Sequence, residues 1–345
     1  TMKKWFKRFG ISFLILVVLV CLWQFKLVNY GLMQLRGQLH IVNNTIPIEA
    51  YIKDISIPDA LRDKAKLVDG IRRFAFDSLG INFSENYTEI FDQKGKASMF
   101  VVTACDPFSF TAKTWNFPIV GNFPYKGFFD QEKAKELAEE IKLKDSLEVS
   151  VRTAGGWSTL GWFKDPILSN MLNRTEGDLA SLLIHELTHG TLFVKDSVTF
   201  NENLASFIGD KGASLYLASK YGLDSEELRR YNTSIEDEEK FKTFILAAAQ
   251  KLDSTYKNIS KLKREEKIIQ KEITMEKLWD DYDTLTFKLP VYQSYLRKRQ
   301  PNNTFFMSYL RYNSQGELLE EELNLQFRGN LKAYLVYLKS KYPSL

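Results

Sequence analysis

The chain has 345 residues, of which 44% are hydrophobic and 14% aromatic, so it can bury the core of one large domain or two smaller ones and is not disordered. The formal net charge is only +4, and the basic residues are spread along the chain, which argues against a nucleic-acid partner. Of the two cysteines, Cys21 lies in the N-terminal apolar run, so Cys105 has no partner for a disulfide within the rest of the chain.

The N-terminal segment combines basic and apolar residues. Four lysines and arginines among the first eight residues precede ISFLILVVLVCLWQF at 11–25, and no small-x-small cleavage site follows. We expect an uncleaved signal-anchor, a transmembrane helix within residues 1–30 whose basic end is cytoplasmic, and a body at residues 31–345 outside the cytoplasm. Since about 15 apolar residues are few for a span of roughly 20, a buried core helix is one alternative. Lipid attachment through Cys21 is another, although Val20 precedes it instead of a small residue.

Hydrophobic periodicity predicts the remaining elements in chain order. Amphipathic patterns indicate helices, and β-branched runs indicate buried strands. The predicted helices are 29–42, 59–79, 129–144, 178–193, 201–221, a long helix or helical hairpin over 225–278, and 330–342, and the predicted strands are 97–105 and the segment beginning at 147.

Two of the three histidines of the chain lie in the stretch LIHELTHGTLF at 183–193. On a helix, His185 and His189 lie one turn apart on the same face, so both imidazoles can reach one metal ion. Glu186 is rotated by about 100° from His185, where a general base can accept a proton from a metal-bound water. The pattern predicts a zinc site of the hydrolytic type.

A third ligand is required, and the remaining histidine, His40, is far away in sequence. A carboxylate is therefore expected. Glu202, within TFNENLASF at 199–207, is the preferred candidate because it would be fixed near the start of the next predicted helix, and Asp196 in the preceding loop is the alternative. The sequence thus predicts His185, His189 and Glu202 as ligands of one Zn²⁺ per chain.

Other residues are candidates for substrate binding. The segment RTAGGWSTLGWFKDP at 152–166 contains three glycines, which are typical of a strand that another backbone approaches closely. It could pair with a peptide substrate through Trp157 and Ser158, or be a tight turn that packs tryptophans into the core. Tyr309 and Tyr312 are candidate donors to a developing oxyanion. Asn302 has either a role at the cleft or that of an ordinary helix cap.

The chain resembles the predicted bacterial aminopeptidases of the zincin superfamily. The resemblance implies an envelope-facing, membrane-attached zinc peptidase with His185, His189 and Glu202 as ligands and Glu186 as base. It rests on these blocks, in this order: GLMQLRGQL, SMFVVTACDPFSF, WNFPIVGNFPYKGFF, GGWSTLGWFKDPIL, LIHELTHGTLF, FNENLASFIGDKGA and PNNTFFMSYLRY.

Three features depart from the family pattern. Asn116 and Asn122 stand where the pattern carries cysteines, and the loss of both together would make sense if those cysteines normally pair. Trp157 stands where a tyrosine is expected, and the sequence VLVC before residue 22 only half resembles a lipobox.

We therefore expect a helix-dominated α+β fold, a zincin-like metallopeptidase body with an N-terminal transmembrane helix, located at the bacterial inner membrane. The predicted activity is hydrolysis of peptides, as an aminopeptidase, with a zinc-activated water. The alternatives are an endopeptidase and a non-catalytic binding or structural protein of the envelope. The intact Glu186 argues against the second of these, because a structural zinc site needs no general base.

Overall fold

The computed structural model describes residues 2–117, 121–154, 164–313 and 315–342. The chain divides into two compact units, Thr1–Asn44 and Thr45–Leu345. The division falls at residue 44 rather than at residue 30, because the helix expected over 29–42 belongs to the first unit.

The first unit is helical. It contains α1 (Met2–Trp23) and α2 (Phe25–Val42). Among the described residues, no helix is both long enough and apolar enough to cross a membrane. The transmembrane helix expected within residues 1–30 is therefore not confirmed.

The second unit contains three small sheets within its described residues. The first has the order β1-β2-β8, in which β2 and β8 are parallel, and the second has the antiparallel order β6-β3-β7. The third is the antiparallel hairpin β4-β5. The strands are β1 (Thr45–Pro47), β2 (Glu89–Phe91), β3 (Phe100–Cys105), β4 (Trp115–Phe117), β5 (Gly121–Phe123), β6 (Lys126–Phe128), β7 (Glu148–Thr153) and β8 (Ile167–Leu168).

Helices make up most of the second unit. They are α3 (Ile48–Lys53), α4 (Asp59–Leu79), α5 (Gln131–Asp145), α6 (Glu176–His189), α7 (Val198–Tyr221), α8 (Glu226–Asn258), α9 (Arg264–Asp283), α10 (Tyr295–Arg299), α11 (Asn303–Asn313), α12 (Gly316–Phe327) and α13 (Leu331–Lys341).

The helix-dominated α+β class is confirmed. The helix expected at 59–79 has those bounds in α4, and the long pattern over 225–278 is the hairpin α8–α9. The helix expected over 178–193 begins two residues earlier and ends at His189, because the chain turns after Gly190. A zincin-like arrangement of these elements stays a prediction.

Two glycines on α7 let it lie close to α6. A Cβ atom built at Gly209 would lie 2.8 Å from the backbone oxygen of Ser181 and 3.2 Å from the Cβ atom of His185. One built at Gly212 would lie 3.0 Å from a terminal methyl group of Ile184. Larger side chains would separate the two helices, so the glycines fix the distance between their functional faces.

Candidate metal centre and active site

Helix α6 presents two histidines from its last turns. Its first turn is capped by Thr175, whose hydroxyl accepts a hydrogen bond of 3.2 Å from the backbone N–H of Asp178. Three side chains of the helix are fully buried: Leu179, Leu183 and Ile184. Their packing fixes the rotation of the helix about its own axis. His185 and His189 lie on the same side of it, with ring centroids 4.8 Å apart.

The three expected metal ligands converge. The Nε2 atoms of His185 and His189 are 3.2 Å apart, and the same carboxylate oxygen of Glu202 lies 3.5 Å from each of them. All three side chains are mostly or fully buried, with exposed fractions of 16%, 8% and 9% in the same order. Among the described residues, they are the one group of three or more histidines, cysteines and carboxylates spaced to hold a metal ion.

This spacing fits a zinc ion. Ligand atoms held tetrahedrally about 2.1 Å from zinc are about 3.4 Å from one another, close to the three separations in this site. Two imidazoles and one carboxylate are also the donor set of hydrolytic rather than structural zinc sites, because a structural site is usually closed by four protein ligands. The residues present therefore fit a catalytic zinc ion, and Asp196 is not part of the group.

Asp196 has a different role. Its carboxylate accepts a hydrogen bond of 3.2 Å from the backbone N–H of Asn122, which lies on β5, and its own φ is +57°. A side chain at Gly121 would overlap this carboxylate, so glycine is required there. Asp196 thus connects the loop between α6 and α7 to the β4–β5 hairpin and does not join the two histidines in the group spaced to hold a metal ion.

The loop between α6 and α7 is held by Asn201, and this places Glu202. The Asn201 side chain accepts a hydrogen bond of 2.9 Å from the N–H of Val194 and donates one of 2.8 Å to the carbonyl of the same residue. Asn201 is 1% exposed, so water does not compete for these bonds. Glu202 follows it directly on the first turns of α7 and faces the histidines.

Neighbouring side chains orient the two imidazoles. The hydroxyl of Ser206, one turn after Glu202, lies 3.4 Å from Nδ1 of His185. The Nδ1 atom of His189 is buried and has no hydrogen-bond partner. Its ring instead packs edge-on against Phe193, with centroids 6.0 Å apart. A hydrogen bond therefore orients one ligand, and aromatic packing orients the other.

The pKa values of the two glutamates of the site shift in opposite directions. Burial would raise the pKa of Glu202, but the adjacent His189 and His185 outweigh it and hold that pKa well below its usual range. Glu202 is therefore ionised, as a metal ligand must be. At Glu186 burial prevails over the attraction of the same histidines and raises the pKa of the carboxyl group. A raised pKa suits a group that accepts and returns a proton.

Both expected tyrosines line a cavity beside the metal ligands. The cavity has a volume of about 390 Å³, and its wall includes His185, Tyr309 and Tyr312. Burial is the main cause of the raised pKa of the Tyr312 hydroxyl, and the charge of Glu202 is the next, which indicates that this tyrosine lies near the ligand carboxylate. Tyr312 is thus the better placed of the two as a donor in the site.

Asn302 acts as the helix cap that the sequence offered as its second interpretation. Its side-chain oxygen accepts hydrogen bonds from the backbone N–H and the hydroxyl of Thr304, at 3.0 and 2.6 Å, and its amide donates to the carbonyl of Val149. It does not line the cavity that contains His185. Trp157 and Ser158 lie outside the described residues.

Sequence reasoning missed three residues near the ligands. Tyr125, between β5 and β6, is buried enough to raise its pKa, and the charges of Glu202 and Glu186 act on it too. Arg152 lines the cavity from the end of β7, and Arg311 on α11 lies over the Tyr125 ring at 5.6 Å. None of them belongs to a local motif, so only the folded arrangement brings them to the site.

Comparison with known proteins adds one match. The sequence profile of a family described as "Putative aminopeptidase" matches residues 29–339. No curated protein and no solved structure matches the chain. The matched region includes the two histidines of α6 and Glu202 of α7, and it covers most of the chain. The chain therefore belongs to the putative aminopeptidase family, and peptides are the substrate class that this family implies.

Proposed function

We propose that this protein is a zinc-dependent aminopeptidase. The observation that carries the proposal is the convergence of His185, His189 and Glu202 within 3.2–3.5 Å, in a chain that belongs to a peptidase family. When bound, a zinc ion would polarise the scissile carbonyl group and lower the pKa of a water molecule.

The residues of the chain divide the remaining tasks. Glu186, whose pKa is raised, accepts a proton from the attacking water and returns it to the leaving amine. Tyr312 and Tyr125 are protonated at neutral pH, as tyrosines ordinarily are, and burial and nearby carboxylates raise their pKa values further, so each can donate a hydrogen bond to the developing oxyanion. Burial of the ligands reduces competition from bulk water.

Acidic residues on the cavity wall support removal of N-terminal residues. Asp178, Asp210 and Glu238 line the same cavity as His185. Asp210 accepts a hydrogen bond of 2.7 Å from Ser181, and Lys242 lies 3.2 Å from Glu238 and 3.7 Å from Asp210. Arg152, Arg174 and Lys242 line the same cavity, so its charges balance, but Lys242 pairs with Glu238 and Asp210. Asp178 forms no ion pair with a described residue and is the carboxylate of this wall that can bind a cationic group such as the ammonium group of a peptide.

A larger neighbouring cavity favours the second candidate, endopeptidase activity. It has a volume of about 900 Å³ and shares Ser206, Asp210 and Tyr312 with the first. This volume would accept a longer peptide than a site that holds only one or two residues. The position of the cut therefore decides between the two activities.

The test uses the full chain and the Glu186→Gln variant. Each is loaded with zinc, its metal content is measured by mass spectrometry, and a library of free peptides is digested with and without a chelator. We expect about one zinc per chain in both proteins, chelator-sensitive removal of single N-terminal residues by the wild type, and no cleavage by the variant. Glu176→Gln, on the first turn of the same helix, is the matched control and should stay active.

Other outcomes select the alternatives. Internal cuts would identify an endopeptidase. Tight zinc binding without cleavage of any peptide would identify a non-catalytic zinc protein and overturn the proposal. Attachment to the inner membrane with the body outside the cytoplasm stays a prediction, which fractionation of cells that express the full chain would test.

A further inference from the structure

We infer that Arg152 and Arg311 form a carboxylate-binding subsite beside the metal ligands, and that the preferred substrates are peptides with a carboxylate close to the scissile bond. This inference rests on the proposed peptidase function and specifies its substrate class. The carboxylate can come from the C-terminus of a very short peptide or from an acidic side chain.

Arg311 is a buried cation that forms no ion pair with a described residue. Its side chain is 5% exposed, and its Nη1 atom is buried and makes no hydrogen bond. Among the described residues, no carboxylate lies within ion-pair distance of it. The guanidinium group faces the Tyr125 ring at 5.6 Å, and the charges of Tyr312 and Glu202 act on it.

A guanidinium group in this position is costly. It cannot release its proton at physiological pH, and a buried charge without a hydrogen-bonded counterion costs several kcal/mol. The charge of Glu202 acts on it, but that carboxylate is directed at the two histidines. A carboxylate of a molecule that enters the site would supply this counterion, and a carboxylate matches the planar donor geometry of arginine.

Arg152 is a second cation near Arg311, and it lines the cavity. It is partly buried at the end of β7, lines the cavity that contains His185, and lies over the Tyr312 ring at 5.9 Å. It also forms no ion pair with any described residue. Arg152 and Arg311 repel each other, since each lies near Tyr312 and the charge of Arg152 lowers the pKa of Arg311. An anion between or beside them would relieve this repulsion.

The register of α11 keeps Arg311 close to the ligand helix. The side chain of Asn203, directly after Glu202, donates a hydrogen bond of 2.5 Å to the backbone carbonyl of Arg311. Its oxygen accepts another, of 2.8 Å, from the N–H of Gln315. The backbone of Arg311 is thus held beside the metal ligands, and its guanidinium group lies behind the cavity wall that Arg152 lines.

The opposite charges of the cavity define the substrate further. Asp178 suits an ammonium group, whereas Arg152 lines the same cavity and suits a carboxylate. A volume of about 390 Å³ is at the small end of the range for ligand sites. A zwitterionic dipeptide or tripeptide matches both the charges and the size.

The test measures binding first, so that it does not depend on turnover. The parent protein for this test is the zinc-loaded full chain with Glu186→Gln. It is titrated calorimetrically with four probes: Ala-Ala, Ala-Ala-amide, Ala-Asp-amide and Ala-Asn-amide. We expect Ala-Ala to bind about 10- to 100-fold more tightly than its amide, which is the contribution of a charged hydrogen-bonded pair. A similar excess of Ala-Asp-amide over Ala-Asn-amide would assign the subsite to a side-chain carboxylate.

Variants assign the preference to the two arginines. Arg152→Gln and Arg311→Met should each reduce the preference for the carboxylate by tenfold or more while affinity for the amides stays within about twofold. Arg311→Lys should restore part of it, because the charge remains but the bidentate geometry does not. Arg229→Gln, an exposed arginine on α8, is the matched control and should leave the preference unchanged.

The inference is overturned if the parent protein binds Ala-Ala no more tightly than Ala-Ala-amide and Ala-Asp-amide no more tightly than Ala-Asn-amide, a result that needs no variant to fold. It is also overturned if the variants weaken all four probes alike, since that would show a general structural role. If the wild type cleaves no peptide but the parent protein still prefers carboxylates, the subsite stands and the proposed function fails. If the wild type cleaves peptides but the parent protein shows no preference for carboxylates, the proposed function stands and the subsite fails.

Discussion

The distance between α6 and α7 can be tested at Gly209. In Gly209→Ala the new methyl group would lie 2.8 Å from the backbone oxygen of Ser181, whereas ordinary van der Waals contact begins at 3.4 Å. The oxygen belongs to the helix backbone and cannot rotate away, so α7 must move by roughly half an ångström. Gly209 is two turns from Glu202 on the same face, so the displacement reaches the metal ligand.

The expected magnitude follows from two opposing terms. Alanine in the interior of a helix is favoured over glycine by about 1 kcal/mol, whereas overpacking costs about 1–3 kcal/mol. We therefore expect a net loss of about 1 kcal/mol in the free energy of unfolding, or a fall of roughly 1–2 °C in Tm for a chain of this size. Zinc affinity should fall about 10-fold or more, because a carboxylate displaced from its ligand position binds the metal less well.

Thermal unfolding of the metal-free protein and competition with a chromophoric zinc chelator measure the two effects. Gly70→Ala is the matched control, since it is also inside a helix and its methyl group would lie 3.4 Å from the hydroxyl of Tyr216. That variant should be as stable as the wild type or more so, with unchanged zinc affinity. If Gly209→Ala behaves like Gly70→Ala, close packing of the two helices does not determine the position of Glu202.

Three further predictions concern other parts of the chain. Glu202→Ala should abolish stoichiometric zinc binding in a dialysis assay, whereas Asp196→Ala should retain it. Asn116 and Asn122 are paired across β4 and β5, with their amides 3.0 Å apart, so replacing both with cysteine should form a disulfide and stabilise the fold by up to about 2 kcal/mol relative to the reduced form. Burial raises the pKa of Cys105 to about 12, so peptide mapping should find it unalkylated at pH 8 unless the protein is unfolded.

The sequence was most informative where the signal is local. The helix at 59–79 and the ligand pair on α6 follow from periodicities of one turn, which do not depend on distant residues. Glu202 could be inferred because it lies only thirteen positions after His189, at the start of the next helix. The choice of Glu202 over Asp196 depended on which residue a helix would fix, and the structure agrees with that criterion.

Features that depend on distant parts of the chain could not be predicted. The strands β1, β2 and β8 are two or three residues long, too short for an alternating pattern, and they pair across large sequence separations. Tyr125, Arg152 and Arg311 come from three separate elements, so no motif connects them. For Asn302, the cap was one of the two roles that the sequence left open, and the hydrogen bonds from Thr304 support it, because asparagine at a helix start is locally satisfied.

The arrangement around Glu202 also explains why metal and substrate recognition would be coupled. Asn201, Glu202 and Asn203 are consecutive, and each binds a different part of the protein: the loop after α6, the two imidazoles and the backbone of α11. A displacement of this turn would move the metal ligand and the Arg311 carbonyl together. Zinc binding should therefore tighten the binding of a carboxylate, and by thermodynamic linkage the carboxylate should tighten zinc binding by the same factor.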